Sequence, residues 1–157
     1  MSSRLLGIDF GTARIGLALS DELGLLARPL ETVPAGTSHP HSLDRIARAV
    51  ADHGVAAIVL GVPYLLDGRS GEAARRALAF AETLRKRFPN LPVHLVDERL
   101  STVEARRLLQ QSRRPEAGIR ALLDQTAAAA ILQDYLNHSG GDPPLLPPPP
   151  DEPPHQR

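Results

Sequence analysis

Four acidic residues in three separate segments are the candidates for chemistry in this chain. Asp9 is the one carboxylate in an apolar stretch, residues 5–20, that a Gly-Thr turn divides into two runs. Burying an unpaired carboxylate costs several kcal/mol unless a cation, hydrogen bonds or a metal compensates it. Asp97 and Glu98 follow a later apolar run, and Asp124 stands shortly before a run of alanines. If these acids converge, their oxygen atoms suit a hard divalent cation such as Mg²⁺ or Mn²⁺.

Asp9 and Asp124 also have explanations that involve no chemistry. The carboxylate of Asp9 could be satisfied by Thr12 or by the backbone amides of the turn at Gly11, at the cost of a core position. Asp124 shares a helix face with Ile131, which points it toward the sheet, whereas as an N-cap it would begin the helix itself. Both roles can hold together for Asp124. We favour a place in the site for both acids.

The adjacent acids Asp97 and Glu98 cannot both reach the site from a strand. Successive side chains of a strand point to opposite faces, so only one of the pair can readily meet Asp9. We interpret Asp97 as a strand-end acid that caps Ser101 or pairs with Arg99. Alternation alone does not decide which of the two acids meets Asp9.

Composition and charge restrict the classes of protein to which this chain can belong. The 157 residues are 42% hydrophobic, which suits one core, and the chain contains no cysteine for a disulfide or a thiolate metal site. The chain has 18 basic residues (lysine and arginine together) and 18 acidic residues (aspartate and glutamate together), so its formal net charge is zero. Binding of a polyanion must therefore come from local clusters of arginine. No apolar stretch reaches the roughly 20 residues of a membrane span, and neither an anchor nor an export signal is recognisable. We expect a cytoplasmic protein without membrane contact.

The elements that position the acids follow from the apolar pattern. Three short apolar runs within residues 4–33 predict an antiparallel meander, and a helix is expected from near His41 to Gly54. Further strands are predicted at 55–60 and 93–96, with a helix between them that Ser70 caps and that extends to Arg87. A helix capped at 101 and a last helix over 119–136 follow them. The Pro-rich residues 138–157 are expected to be a disordered tail after a domain of residues 1–137.

Right-handed crossovers would place the fourth and fifth strands beside the first. The predicted fold class is therefore α/β, with a mixed five-stranded sheet of order 3-2-1-4-5 and helices on both faces. Ligands of open sheets bind beyond the carboxyl ends of the strands, near the point where the winding reverses. Asp9 lies at that point.

Four motifs, in order and with matching spacing, resemble a known family. They are Gly7-Ile8-Asp9-Phe10-Gly11-Thr12 with Arg14-Ile15-Gly16, then Gly61-Val62-Pro63, then Asp97-Glu98-Arg99-Leu100-Ser101, and finally Asp124 with Ile131-Leu132-Gln133-Asp134-Tyr135-Leu136. Over residues 4–136 the chain resembles the YqgF/RuvX family of Holliday-junction-resolvase-like nucleases. The resemblance implies a ribonuclease H-like fold, a role in maturing the 5′ end of pre-16S ribosomal RNA, and a tie to Holliday-junction processing. It also favours Glu98 over its neighbour as the site residue.

Hydrolysis of a phosphodiester gives the three acids a common purpose. Two divalent ions about 3.5 to 4 Å apart can activate the attacking water and stabilise the leaving oxygen. We expect Asp9 to be shared by two Mg²⁺ or Mn²⁺ ions, with Glu98 and Asp124 each completing one. The three are thus predicted to be both catalytic and metal-binding residues.

Arginines near the acids are the candidates for contacts with nucleic acid. Arg14 and Arg99 would lie nearest the scissile phosphate, although a salt bridge to a neighbouring acid is an equal alternative for each. Arg106 and Arg107, together with Arg113 and Arg114, would follow the phosphate backbone farther out. The partner is expected to be a structured nucleic acid, pre-rRNA or branched DNA, bound by a monomer or a homodimer.

Two other functions fit part of the sequence. Residues 9–12 also resemble the phosphate-binding hairpin of actin-like and sugar-kinase-like nucleotide binders, but those folds enclose nucleotide between two domains and this chain has room for one. The second is a non-catalytic nucleic-acid-binding or ribosome-assembly factor on the same fold. An intact set of three acids favours a nuclease, because a protein that only binds has no need of them.

Overall fold

Three strands come first in the chain, and helices and strands alternate after them. The structure is a computed structural model that describes residues 4–35, 39–100 and 117–138. The elements are β1 (Arg4–Phe10), β2 (Arg14–Ser20), β3 (Ala27–Pro34), α1 (His39–His53), β4 (Val55–Val62), α2 (Glu72–Arg87), β5 (Val93–Asp97), a 3₁₀ turn (Glu98–Leu100) and α3 (Ala117–His138).

The strands form a mixed five-stranded sheet of order β3-β2-β1-β4-β5, as predicted. β1 pairs antiparallel with β2, and β2 pairs antiparallel with β3. β1 and β5 both run parallel to β4. The tight turn between β1 and β2 is closed by a hydrogen bond of 2.9 Å that the Gly11 amide donates to the carbonyl of Arg14.

Alternation along the strands gives the sheet two different faces. The face toward α1 and α2 carries large aliphatic side chains that are fully buried: Leu6, Ile8, Ile15, Leu17, Leu19, Ile58 and Leu60. Burial of each such side chain contributes about 1.5–3 kcal/mol to folding. The face toward α3 carries smaller residues, including Gly7, Ala18 and Val59, and α3 meets them with Ala128 and Leu132.

Helix α3 lies close to the sheet because glycines on the strands leave room for it. A Cβ built on Gly7 would stand 2.7 Å from the Cβ of Leu132, which is closer than real Cβ contacts. At the far end of the helix, Gln133 Nε2 donates to the Leu25 carbonyl at 3.0 Å, and its Oε1 accepts from the Ala27 amide at 2.9 Å. The helix thus lies against β1 and is hydrogen-bonded to the segment that joins β2 to β3 and to the start of β3.

Some predicted boundaries differ from those observed. Ser70 does not cap α2: the N-cap is Gly71, in extended conformation and with no side-chain cap hydrogen bond. The Leu65 side chain packs closely on Gly71, where a Cβ would meet Leu65 Cδ2 at 3.0 Å, and the helix begins one residue later than predicted. The last helix begins two residues earlier than predicted, at Ala117. The helix predicted at 101 and the tail predicted over 138–157, apart from residue 138, lie outside the described residues.

Within the part of the chain that the structure describes, no helix has the length and apolar character needed to cross a membrane.

Candidate active site

Asp9 stands between two glycines in neighbouring strands. The register of β1 and β2 places it opposite Gly16. On the other side Ile8 pairs with Leu60, so the next residue in each strand places Asp9 beside Gly61. Asp9 is two residues after Gly7 and therefore projects from the α3 face. Neither neighbouring strand position has a side chain that could cover the carboxylate.

Glu98 occupies the space above one of these glycines. A Cβ on Gly61 would stand 2.6 Å from Glu98 Oε1 and 2.5 Å from Ile131 Cδ1. Glu98 is buried, with 3% of its surface exposed, and it begins the 3₁₀ turn directly after β5. Because Gly61 and Asp9 lie in adjacent strands, about 4.8 Å separates the two backbones. The structure thus brings the Glu98 carboxylate to the strand next to Asp9.

Asp124 lies above the other glycine. A Cβ on Gly16 would stand 2.0 Å from the carbonyl oxygen of Asp124, so the backbone of α3 touches β2 there. The Asp124 carboxylate accepts a hydrogen bond of 2.6 Å from Arg14 Nε, and the two side chains are 25% and 36% exposed respectively. Because α3 begins at Ala117, Asp124 lies inside the helix and the alternative of an N-cap at this position is wrong.

Asp97 and Glu98 diverge as alternation predicts, and the prediction that Asp97 pairs with Arg99 is confirmed. The Asp97 side chain is fully buried, and its oxygens accept from Arg99 Nε at 3.1 Å and Nη2 at 2.6 Å. The Asp97 hydrogen bond raises the pKa of Arg99 above its usual value. The Arg99 guanidinium also lies over the Tyr64 ring, 5.6 Å from its centroid. Burial, followed by the charge of Asp97, raises the pKa of the Tyr64 hydroxyl.

Arg99 therefore contributes to the structure of the loop that follows β4. Its Nη1 would stand 3.1 Å from a Cβ on Gly68, a residue whose φ of +90° favours glycine. The side chain of Arg99 is 20% exposed. Both predicted phosphate contacts among the described residues, Arg14 and Arg99, are thus engaged by acids. The other four, Arg106, Arg107, Arg113 and Arg114, lie outside the described residues.

The predicted acids lie on one face of the sheet without forming a complete three-ligand group. Among residues 4–35, 39–100 and 117–138, no three acidic or histidine side chains are close enough together to hold a metal ion. Glu98 Oε1 lies over Gly61, the neighbour of Asp9 in the sheet, whereas the Asp124 carboxylate is paired with Arg14. The role of the three as metal ligands stays a prediction.

Sequence reasoning did not identify why glycine is needed at two motif positions. Gly16 and Gly61 belong to the motifs, and each lacks a side chain where another element packs against it. The backbone of Asp124 lies against Gly16, and the carboxylate of Glu98 lies against Gly61. These glycines could have predicted the position of the site only if the strand register, which places them on either side of Asp9, had been known. The partner of Arg14 was likewise not specified, since 110 residues separate it from Asp124.

Comparison with known proteins gives consistent similarities. The family model described as "RuvX: Holliday junction resolvase" matches residues 3–138. A protein of Nocardia farcinica named "Putative pre-16S rRNA nuclease" is 44% identical over 139 residues, covering 85% of this chain and 77% of the relative. A protein of Mycobacterium leprae with the same name is 46% identical over 134 residues, covering 85% and 72%.

A solved structure supports the fold. RuvC of Thermus thermophilus, in complex with a Holliday junction substrate, superposes with a TM-score of 0.57 and 17% identity, covering 91% of this chain and 99% of that one. Together with the strand order, this similarity shows that the fold is ribonuclease H-like.

Proposed function

Because the chain belongs to the RuvX family, which it matches over residues 3–138, we propose that it is a metal-dependent nuclease that matures the 5′ end of precursor 16S ribosomal RNA. The family hydrolyses phosphodiester bonds, and relatives 44% and 46% identical carry the name of a pre-16S rRNA nuclease. Processing of branched DNA is a second candidate substrate activity, supported by the family's description as a Holliday junction resolvase. A nuclease of precursor ribosomal RNA would act in the cytoplasm.

The observation that carries the proposal is the position of Glu98 Oε1 over Gly61, the neighbour of Asp9 in the sheet. A side chain at Gly61 would fill the space that the carboxylate occupies. Two hard oxygen donors, one from β1 and one from the turn after β5, are the type of ligand that Mg²⁺ and Mn²⁺ use, with water and substrate phosphate filling the other positions. The residues present therefore fit a divalent cation.

In this mechanism Asp9 and Glu98 would hold a cation at the carboxyl ends of β1 and β5. Such a cation would supply the activation of a water molecule and the neutralisation of charge on the phosphate. The two carboxylates would orient the water by accepting its hydrogen bonds. The aliphatic Ile131, which also packs against Gly61, limits access of other solvent from the side of α3.

Asp124 would complete the ligands of a second ion once its carboxylate is free of Arg14. Its backbone is held against Gly16, opposite Asp9 in the sheet, so the side chain starts from the correct side of the site. Arg14 is proposed to contact the substrate phosphate, because arginine suits phosphate oxygens through paired hydrogen bonds. Arg106 and Arg107 are proposed to bind the nucleic-acid backbone, whereas the ion pair with Asp97 favours a structural role for Arg99.

The test is a cleavage assay on a structured RNA that contains the 16S precursor 5′ end, beside a four-way DNA junction. Reactions contain Mg²⁺, Mn²⁺ or EDTA, and the variants are Asp9→Asn and Glu98→Gln. We expect metal-dependent cleavage that both variants reduce by about 1,000-fold, since several kcal/mol of charge stabilisation are lost. The substrate that is cut distinguishes RNA maturation from junction processing.

The matched control is Asp44→Asn, which changes an acid of the same type on α1, where the side chain is 69% exposed. This variant should retain full activity. Binding of RNA without cleavage by the unmodified protein would contradict the proposal and support the alternative of a non-catalytic assembly factor. Stabilisation by ATP and Mg²⁺, with none from Mn²⁺ alone, would instead support a nucleotide-binding protein.

A further inference from the structure

The ion pair between Arg14 and Asp124 joins two groups that have separate tasks in the proposed function. Arg14 begins β2 directly after the turn at Gly11, and Asp124 lies within α3. Nε of the arginine lies 2.6 Å from Oδ2 of the acid. While this pair persists, Oδ2 of Asp124 and Nε of Arg14 are committed to each other. A cation at Asp124 must then compete with the guanidinium, and a phosphate at Arg14 must compete with the carboxylate.

The exposure of this pair allows it to exchange partners. The side chains are 36% and 25% exposed, so water can solvate both groups when they separate. Pairs of this kind contribute little to stability, since solvent screens the charges. The Asp97–Arg99 pair is different: its acid is fully buried, and both acid oxygens are bound by the same guanidinium. One arginine–aspartate pair near the site is thus fixed, and the other is exchangeable.

We propose that Arg14 is a positioning residue that withholds Asp124 from metal until a phosphodiester binds. This inference rests on the proposed function, and it specifies how the site is completed. A phosphate group offers a guanidinium charged oxygens in the same geometry as a carboxylate, so it competes with Asp124 for Arg14. Transfer of the guanidinium to the phosphate releases the Asp124 carboxylate on the face of the sheet that bears Asp9. No covalent bond changes in this exchange.

The exchange couples the binding of nucleic acid to the binding of metal at Asp124. If nucleic acid releases the carboxylate for a cation, then the cation must raise the affinity for nucleic acid by the same factor. In the absence of nucleic acid, Asp9 and Glu98 alone would bind the metal. Asp124 would contribute to metal affinity only when Arg14 is absent or engaged elsewhere. The metal site that includes Asp124 therefore forms only in protein molecules that have bound nucleic acid.

The decisive experiment is a double-mutant cycle with Mn²⁺ affinity as the readout, measured by calorimetry on the full chain without nucleic acid. Arg14→Gln should tighten Mn²⁺ binding about fivefold, the fold-change that matches the upper value for an exposed ion pair. Asp124→Asn should change the affinity by less than about twofold alone, and weaken it about fivefold in the Arg14→Gln background. Arg14→Lys, which keeps the charge, should bind Mn²⁺ as the unmodified protein does.

A matched control cycle uses Arg45 and Glu31, an ion pair of 3.0 Å between α1 and β3. Substitution of either residue with glutamine should leave Mn²⁺ affinity unchanged. Equal weakening by Asp124→Asn in both Arg14 backgrounds would overturn the inference, because Asp124 would then bind metal freely. Mn²⁺ affinity that is insensitive to Asp9→Asn and Glu98→Gln would instead contradict the metal site of the proposed function.

A second measurement tests whether the Arg14 side chain contacts a phosphate when nucleic acid binds. Binding of a hairpin RNA in EDTA is measured over a range of salt concentrations for the unmodified protein, Arg14→Gln and Arg45→Gln. Loss of one phosphate contact should reduce the slope of log affinity against log salt by about 1 for Arg14→Gln alone. An unchanged slope for Arg14→Gln would overturn the inference, since Arg14 would then not move to a phosphate.

Discussion

The two faces of the sheet are built from different residues for different purposes. Toward α1 and α2 the strands present Ile8, Ile58 and Leu60, fully buried and packed against large side chains. Toward α3 they present glycines, and the spaces that these leave are filled by the α3 backbone and by the carboxylate of Glu98. Large apolar side chains give stability, whereas missing side chains allow charged groups to approach one another within the fold.

Adjacent residues of one strand show this difference most directly. Leu60 and Gly61 follow each other in β4, yet one packs in the aliphatic core and the other lies under Glu98 Oε1. We conclude that changes at successive positions of this strand should have separable effects on stability and on catalysis. Four measurements test whether stability and catalysis divide in this way.

The largest effect is expected from Leu60→Ala on the aliphatic face. Removal of a fully buried leucine side chain leaves a cavity and should lower the free energy of unfolding by about 2–5 kcal/mol. Denaturant unfolding measures this loss. Cleavage per folded molecule, assayed well below the unfolding transition, should remain within about twofold of the unmodified protein. A large fall in that specific activity would show that the two faces do not act separately.

A comparable effect, but on catalysis, is expected from Gly61→Ala. The new methyl group would displace Glu98 Oε1 and Ile131 Cδ1, which are the ends of flexible side chains. We expect cleavage to fall about 100-fold, as for a ligand moved by about 1 Å, with a smaller loss of stability. Gly71→Ala is the control at a glycine away from the site, because its methyl group would meet the side chain of Leu65 instead. That control should lose stability and keep its specific activity.

A smaller effect on stability is expected from Arg99→Gln. The substitution leaves the fully buried Asp97 carboxylate without its guanidinium, which should lower the free energy of unfolding by about 2 kcal/mol. If Arg99 is structural, the salt dependence of RNA binding should not change. A slope reduced by about 1 would instead show that Arg99 contacts phosphate, as the sequence motif predicted.

The smallest effect is expected from the pH dependence of stability at His94. Its ring stacks on Tyr135 of α3, with centroids 5.2 Å apart, and burial, followed by the charge of Arg85, lowers its pKa below the usual 6.5. The unfolded chain therefore takes up the proton first as the pH falls. His94 therefore contributes to the free energy of unfolding above pH 6.5, and this contribution is lost as the pH falls toward the lowered pKa.

Denaturant unfolding of the unmodified protein and of His94→Phe, at pH 7.5 and 5.5, measures this contribution. We expect a difference of less than about 1 kcal/mol in the pH dependence, with the smaller dependence in His94→Phe. Identical pH dependence in the two proteins would contradict the assignment to His94.

The sequence predicted the sheet well because each strand is a strongly apolar run that can be recognised from neighbouring residues alone. The three short apolar runs of the meander, the later strands and the preference for right-handed crossovers led to the observed strand order. Helix starts were less accurate: Ser70 has the side chain of a cap, but the helix begins after Gly71, where Leu65 packs. A cap preference of about 1 kcal/mol is easily outweighed by such packing.

The site was only partly predictable from the sequence. Alternation correctly separated Asp97 from Glu98, because that rule depends on neighbouring residues alone. The pairing of Arg14 with Asp124 depends on how α3 docks on β2, which no local pattern contains. Charged residues near a site can be recognised from the sequence, but which acid each arginine binds requires the tertiary structure.

The position of α3 in the chain has a consequence during synthesis. This helix is the last described element, residues 117–138, yet it packs on the face that bears Asp9 and it carries Asp124. A growing chain can therefore contain all five strands before it contains the helix. Under the proposed function, a chain that has been synthesised only as far as residue 116 would lack Asp124, and so it would not yet have the three carboxylates proposed for cleavage.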